Sequence, residues 1–228
     1  MTPSSDSATA HDPSGPVDGA DLAALLAGKL CHDFISPAGA IVSGLDLLKD
    51  PTAQDMRDEA MGLIQSSADK LVALVHFARI AFGAATSAER FSAAELEPVV
   101  AGVFEGLRCA LDWQVQPMEF SKPEARALVN LAQMAGGALP GGGVAHVDAR
   151  IEGEELVLEA LSEGPRARLK AEAVTGLTGA RLGEGLPGQW IQPYWLWRTV
   201  TDAGGRLSAE PGEGVVRLTA RIPRHGGR

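Results

Sequence analysis

The sequence predicts an α+β fold in which an antiparallel helical hairpin is followed by an α/β sandwich. Apolar residues recur with helical spacing through residues 20–49 and again through residues 54–83. Beyond this point the apolar segments are shorter, and glycine and proline are more frequent, which favours short helices mixed with strands. We therefore expect a disordered tail at residues 1–19, the hairpin at 20–84 and a second domain at 90–228.

The hairpin is predicted from two apolar stripes and one turn. The first helix should have Asp21 as its N-cap and end at Lys49, because Asp50 precedes Pro51 and that position disfavours helical backbone. Its stripe consists of Leu22, Leu26, Leu30, Phe34, Pro37, Ile41, Leu45 and Leu48. The stripe of the second helix consists of Ala60, Ile64, Ser67, Leu71, Leu74, Ala78 and Phe82.

Such a hairpin has little interior, because each helix can bury only the strip that faces the other. Pairing two hairpins into a four-helix bundle gives both helices a full core. We therefore expect a homodimer through the hairpin.

The second domain is predicted as helices on one side of a mixed sheet. The expected helices lie at about 92–111, 122–136 and 190–203. The expected strands lie at about 144–150, 154–161, 205–210 and 214–222. A glycine-rich irregular stretch separates the second strand from the last helix.

The amino-acid composition excludes some classes of binding partner. The 228 residues carry a formal net charge of −9, which argues against binding to nucleic acid or an anionic membrane surface, since both need clustered Lys and Arg. No apolar run is long enough for a membrane span, and the acidic start does not resemble a signal peptide. We expect a cytoplasmic protein whose partners are other proteins or small molecules.

His32 is the leading candidate for chemistry. It lies opposite the centre of the apolar stripe, so its imidazole should face water. Small or polar residues share this outward face, namely Lys29, Ser36, Gly39 and Ser43. A histidine on the polar side of a helix is more often an ordinary surface residue. Pro37 and Gly39 favour a functional face, because proline and glycine within a helix cost about 3 and about 1 kcal/mol.

The chemistry of His32 follows from its neighbour. Neutral imidazole is a nucleophile near pH 7, and its N-phosphorylated form can pass the group to a carboxylate. Asp33 could accept a hydrogen bond from one ring nitrogen and so fix the tautomer that leaves the other nitrogen free. The pair therefore has the capacity to accept a phosphoryl group, if one ring nitrogen is held and the other is free.

The run His32-Asp-Phe-Ile-Ser-Pro37 resembles the His-[Asp/Glu]-x-x-x-Pro box in the dimerisation and phosphotransfer domain of two-component proteins. The later chain resembles the nucleotide-binding domain of histidine kinases with its motifs altered. Residues 128–135 resemble the N box, but Met134 stands where that box has its metal-binding Asn. Residues 162–166 lack the adenine-reading Asp, and residues 188–191 replace a glycine-rich box.

This combination resembles the histidine phosphotransferases of the ChpT type, from the cell-cycle phosphorelay of alphaproteobacteria. The resemblance implies that His32 receives a phosphoryl group from the receiver domain of a hybrid kinase and passes it to response-regulator receivers. It implies no ATP and no cofactor, with Mg²⁺ supplied by the receiver. The expected receiver-binding residues are Lys29, Ser36, Gly39, Ala40, Ser43, Lys70, His76 and Arg79.

Two other functions stay open at this point. One is an autophosphorylating histidine kinase with an unusual nucleotide pocket, which would bind ATP. The other is a dimeric scaffold that holds receivers without accepting phosphate. Neither His146 nor the acidic residues near Glu154 form a recognisable constellation in the sequence.

Overall fold

The computed structural model describes residues 17–83 and 90–224, in which a helical hairpin packs against an α/β unit. The hairpin consists of α1 (Gly19–Lys49) and α2 (Arg57–Ala81), with a short 3₁₀ helix at Gln54–Met56 before α2. Within these described ranges, no helix combines the length and apolar character needed to cross a membrane.

The α/β unit contains the remaining elements. Its helices are α3 (Ala93–Phe104), α4 (Lys122–Gly137), α5 (Ala171–Leu177) and α6 (Pro187–Asp202). Its strands are β1 (Arg90–Ser92), β2 (Cys109–Trp113), β3 (Glu119–Ser121), β4 (Gly143–Glu152), β5 (Glu155–Glu163), β6 (Arg206–Gly212) and β7 (Val215–Pro223). An α+β architecture, as the sequence predicts, is therefore present.

The start of α1 differs from the prediction. The N-cap is Asp18 rather than Asp21, because the Asp18 carboxylate accepts hydrogen bonds from the backbone N–H groups of Ala20 and Asp21 at 2.7 and 3.0 Å. Val17 is buried, so the end of the predicted disordered tail is part of the fold. The rest of that prediction, residues 1–16, lies outside the described residues.

The two hairpin helices pack closely against each other at Gly44. A Cβ atom at this position would lie 2.6 Å from Cγ1 of Ile64 and 3.1 Å from the carbonyl oxygen of Ala60, so only glycine fits. Gly44 is buried while Leu45, expected in the stripe, is 42% exposed. At this level of α1, Gly44 rather than Leu45 packs against α2 within the chain.

The main sheet has the strand order β2-β4-β5-β7-β6, with β2 parallel to β4 and the other neighbours antiparallel. Alternate residues of the central strands are buried on one face, including Val147, Leu158 and Leu218. The other face carries ion pairs, including Arg150 with Asp148 at 2.8 Å. Helices therefore cover only one face.

Helix α4 lies at the centre of the molecule. Leu128, Leu131 and Ala135 are fully buried, and α4 contacts the sheet, α2 and α6. Two side chains of the α/β unit also bond the end of α2: Trp195 Nε1 and Asn130 Nδ2 donate to the carbonyl of Ala81 at 2.7 and 3.2 Å. The hairpin and the α/β unit are thus joined by hydrogen bonds as well as by packing.

The α/β unit differs from the sequence prediction in two respects. The helix expected at 92–111 ends at Phe104, and residues 109–113 form β2 instead. Gly106 follows the C-cap residue Glu105, and a glycine just after a helix is an ordinary stop signal. The short strands β1 and β3 and the helix α5 were not expected, because segments of three to seven residues show too little periodicity to be distinguished from loops.

Candidate functional site

His32 projects into solvent from the middle of α1, as its position on the helix predicts. Its side chain is 88% exposed. Nδ1 lies 3.4 Å from Oδ1 of Asp33, at the long end of the hydrogen-bond range. This geometry directs Nδ1 toward a carboxylate and leaves Nε2 open to an incoming group.

Asp33 is itself held in place by Lys29. The Lys29 ammonium donates to Oδ2 of Asp33 at 2.7 Å, and the two residues lie one helical turn apart. The sequence placed Lys29 on the exposed receiver-binding face, but only 12% of its side chain is exposed. Lys29 therefore orients the carboxylate beside the histidine, and this ion pair limits its availability to a partner.

The small residues that follow His32 on α1 form a surface of low relief. Ser36, Gly39 and Ser43 are exposed and Ala40 is half-buried. In the part of the chain that the structure describes, a Cβ atom at Gly39 would meet nothing within 4 Å, so helix packing there does not require glycine. Open space at this position is what close approach of another molecule needs.

Ser36 and Ala40 line a groove of about 440 Å³ together with α2 and α3. Lys70 of α2 belongs to this groove, and so do Gly102 of α3 and Gly106 in the turn after α3. The structure therefore brings Lys70 to the same side of the hairpin as the small residues of α1, as the sequence predicts.

His76 and Arg79 lie elsewhere on α2. His76 is exposed and lines a groove of about 320 Å³ with Asp69, Pro98 and Val99. This groove shares no lining residue with the separate groove that His32 lines, so the two histidines border different grooves. The role of His76 in receiver binding stays a prediction. Arg79 is exposed in the last turn of α2.

Sequence reasoning missed the residues that face His32. A groove of about 450 Å³ is lined on one side by α1, including Gly28, Lys29 and His32, and on the other by residues 186–189 at the start of α6. Pro187 is the first residue of α6, a position that proline favours. That signal marks a helix start but does not place it beside α1.

The region that resembles a nucleotide pocket is a groove of about 250 Å³. Its lining includes Gln133, Met134, Arg168, Lys170 and Gln192 and contains no carboxylate. A magnesium nucleotide needs hard oxygen ligands, usually carboxylates, so this donor set does not fit one. Among the described residues, no group of three or more His, Cys, Asp or Glu side chains could hold a metal ion.

His146, to which the sequence gave no partners, lies between two carboxylates. Nδ1 is 2.7 Å from Oδ2 of Asp112, and Nε2 is 3.1 Å from Oε2 of Glu163. The hydrogen bond to His146, with a second from Gln114, holds the pKa of Asp112 below its usual value. Both ring nitrogens of His146 are therefore engaged on the charged face of the sheet.

Comparisons with known proteins converge on one family. The family model for the histidine phosphotransferase C-terminal domain matches residues 93–215. The protein phosphotransferase ChpT of Brucella abortus (strain 2308) is 34% identical over 193 residues, covering 82% of this chain and 89% of that protein. A solved bacterial phosphotransferase superposes with a TM-score of 0.81 at 28% identity, covering 91% of this chain and 98% of the other.

Proposed function

The chain belongs to the ChpT-type family of histidine phosphotransferases, and we propose that His32 carries the phosphoryl group. In this proposal His32 accepts the group from a receiver aspartate of a hybrid kinase and donates it to response-regulator receiver aspartates. The observation that carries the proposal is the exposed imidazole, with Nδ1 directed at Asp33 and Nε2 open.

The transfer step is a displacement at phosphorus. The lone pair of Nε2 forms the N–P bond while the P–O bond to the receiver aspartate breaks, and that aspartate leaves as a carboxylate. The proton on Nδ1 stays on the ring, which becomes positively charged next to Asp33. Asp33 stabilises this charge, and the reverse sequence of bonds transfers the group to the next receiver aspartate.

The receiver supplies the metal ion in this proposal. Phosphoryl transfer to or from an aspartate needs Mg²⁺ to neutralise charge on the phosphoryl oxygens. We expect that ion in the acidic pocket of the receiver. The residues of this chain orient the imidazole and give the receiver room to approach.

We also propose that the hairpin dimerises into a four-helix bundle. Large apolar side chains remain exposed on α1 and α2, namely Ile35, Val42, Leu45, Met61, Val72 and Val75. When exposed apolar side chains form a contiguous patch, the patch usually marks an interface. Light scattering at micromolar concentration should give the mass of two chains, and the mass of one chain would contradict the bundle.

The function is tested by following radioactive phosphate from a purified phosphorylated receiver to this protein. Wild type should take up label that is acid-labile and base-stable, and should pass it to a second receiver. His32→Ala should take up none and keep its fold, because the side chain is exposed. His146→Gln is the matched control and should take up label as wild type does.

The other outcomes identify the other functions. Label that persists on His32→Ala contradicts the assignment of the acceptor. A wild-type protein that binds receivers but takes up no label is a scaffold. Label taken directly from ATP identifies a kinase.

A further inference from the structure

The groove beside His32 has two walls from different parts of the fold. Residues of α1 form one wall, and Leu186, Pro187, Gly188 and Gln189 form the other. The groove measures about 450 Å³. Because His32 belongs to its lining, a protein that brings an aspartate to His32 lies next to the second wall.

The second wall is held firmly against the hairpin. Behind it lies a buried cluster in which Trp190, Ile191 and Tyr194 of α6 pack with Val17 and with leucines of α1. The Val17 N–H donates to the Tyr194 hydroxyl at 3.0 Å, and the Trp190 and Tyr194 rings stack at 4.6 Å. The start of α6 is therefore positioned by the packing of α6 on α1.

The surface of this wall is suited to contact with another protein. Leu186 is 58% exposed although it is apolar. A Cβ atom at Gly188, or at Gly28 on the opposite wall, would meet nothing within 4 Å. The exposed leucine at the rim of the groove provides an apolar contact for a partner. The two glycines lack side chains and so leave room for the partner's backbone.

We propose that residues 186–189 form part of the docking surface for the receiver domain that exchanges phosphate with His32. Leu186 makes an apolar contact with that receiver, and Gly188 gives it clearance. This inference rests on the proposed function of His32. It assigns the α/β unit a direct part in partner recognition, although its nucleotide motifs are altered.

The test uses two variants of the full chain and one control. Leu186→Asp removes the apolar contact, and Gly188→Leu fills the groove. Ile151→Asp is the matched control, because Ile151 is also an exposed apolar residue, at 53%, but lies on β4 near the β4–β5 turn. Each protein is labelled from a phosphorylated receiver and, separately, from phosphoramidate, a small donor that needs no protein contact.

Labelling from the receiver should fall about tenfold or more in Leu186→Asp and in Gly188→Leu, as for contacts central to an interface. Labelling from phosphoramidate should stay within about twofold of wild type in both, because a donor of this size needs little of the interface. Ile151→Asp should match wild type with both donors.

Three results distinguish failure of the docking proposal from failure of the proposed function. Receiver labelling at the wild-type rate in both variants overturns the docking surface and leaves His32 as the acceptor. An equal loss with both donors also overturns it, because the substitutions then act on the imidazole or the fold. A wild-type protein that takes no label from any receiver contradicts the proposed function instead.

Discussion

Two histidines in this molecule have opposite surroundings. The side chain of His32 is 88% exposed and has one carboxylate contact at 3.4 Å. The side chain of His146 is 29% exposed and has carboxylates at 2.7 and 3.1 Å from its two ring nitrogens. The residue with the stronger hydrogen bonds is therefore the worse candidate for nucleophilic chemistry.

The difference shows what a phosphoryl-accepting imidazole requires. A neighbouring carboxylate is present at both positions, so it does not distinguish them. Among the described residues, His32 keeps one ring nitrogen without a protein partner on an exposed surface, whereas both nitrogens of His146 are occupied. His146 instead links β4 to neighbouring strands through side-chain hydrogen bonds to Asp112 and Glu163.

The largest effect should come from removing the carboxylate that orients His32. In Asp33→Asn the initial rate of labelling should fall about tenfold to a hundredfold. This loss is no larger than the smallest rate contribution that is typical of a positioned acid or base, about a hundredfold. Asp46→Asn is the control, since Asp46 is an exposed aspartate on α1 whose partner Lys49 lies 3.5 Å away. Rapid-quench labelling checks both, and equal rates in the two variants would show that Asp33 does not act on the ring.

A smaller effect should come from adding one methyl group to the surface beside His32. Gly39→Ala should raise helix stability by up to about 1 kcal/mol, yet weaken receiver binding by a similar energy, about fivefold in Kd. Gly62→Ala on α2 is the control, because Gly62 is exposed and also has nothing within 4 Å of its added Cβ. Calorimetric titration with a receiver measures the Kd of both variants. An unchanged Kd for Gly39→Ala would show that Gly39 is not part of the interface.

The smallest effect should come from His146→Gln, which should leave phosphotransfer unchanged. The pKa of Asp112 should rise toward its usual value, because the hydrogen bond from His146 is the main cause of its lowering. Since the folded pKa lies below the unfolded one, this interaction stabilises the fold above about pH 4 and is lost as the pH falls through the folded pKa. An NMR titration of the Asp112 carboxyl checks the shift, and an unchanged pKa would contradict this cause.

The hairpin could be predicted well because its helices are long and regular. The predicted end of α1 at Lys49 agrees with the structure, since Asp50-Pro51 is an unambiguous stop. The predicted N-cap of α1, Asp21, was wrong because a second aspartate, Asp18, lies close by. Asp18 is the N-cap where Val17 packs against Tyr194. That contact joins residues 177 positions apart, so local sequence does not show it.

The candidate site, too, could be predicted from local sequence only in part. The position of His32 on α1 follows from helical periodicity, whereas its second wall at residues 186–189 depends on how α6 packs on α1. The partners of His146 could not be predicted, because the sequence predicts a helix that runs to about residue 111 and no strand at residues 109–113. Once β2 pairs with β4, Asp112 lies directly opposite His146.

The most direct test is the position of the N–P bond in the phosphorylated protein, measured by correlating ³¹P with ¹⁵N in NMR spectra of histidine-labelled protein. The geometry predicts phosphate on Nε2 of His32, because Nδ1 is directed at Asp33. Phosphate on Nδ1 of His32, or on His76 or His146, would contradict the account.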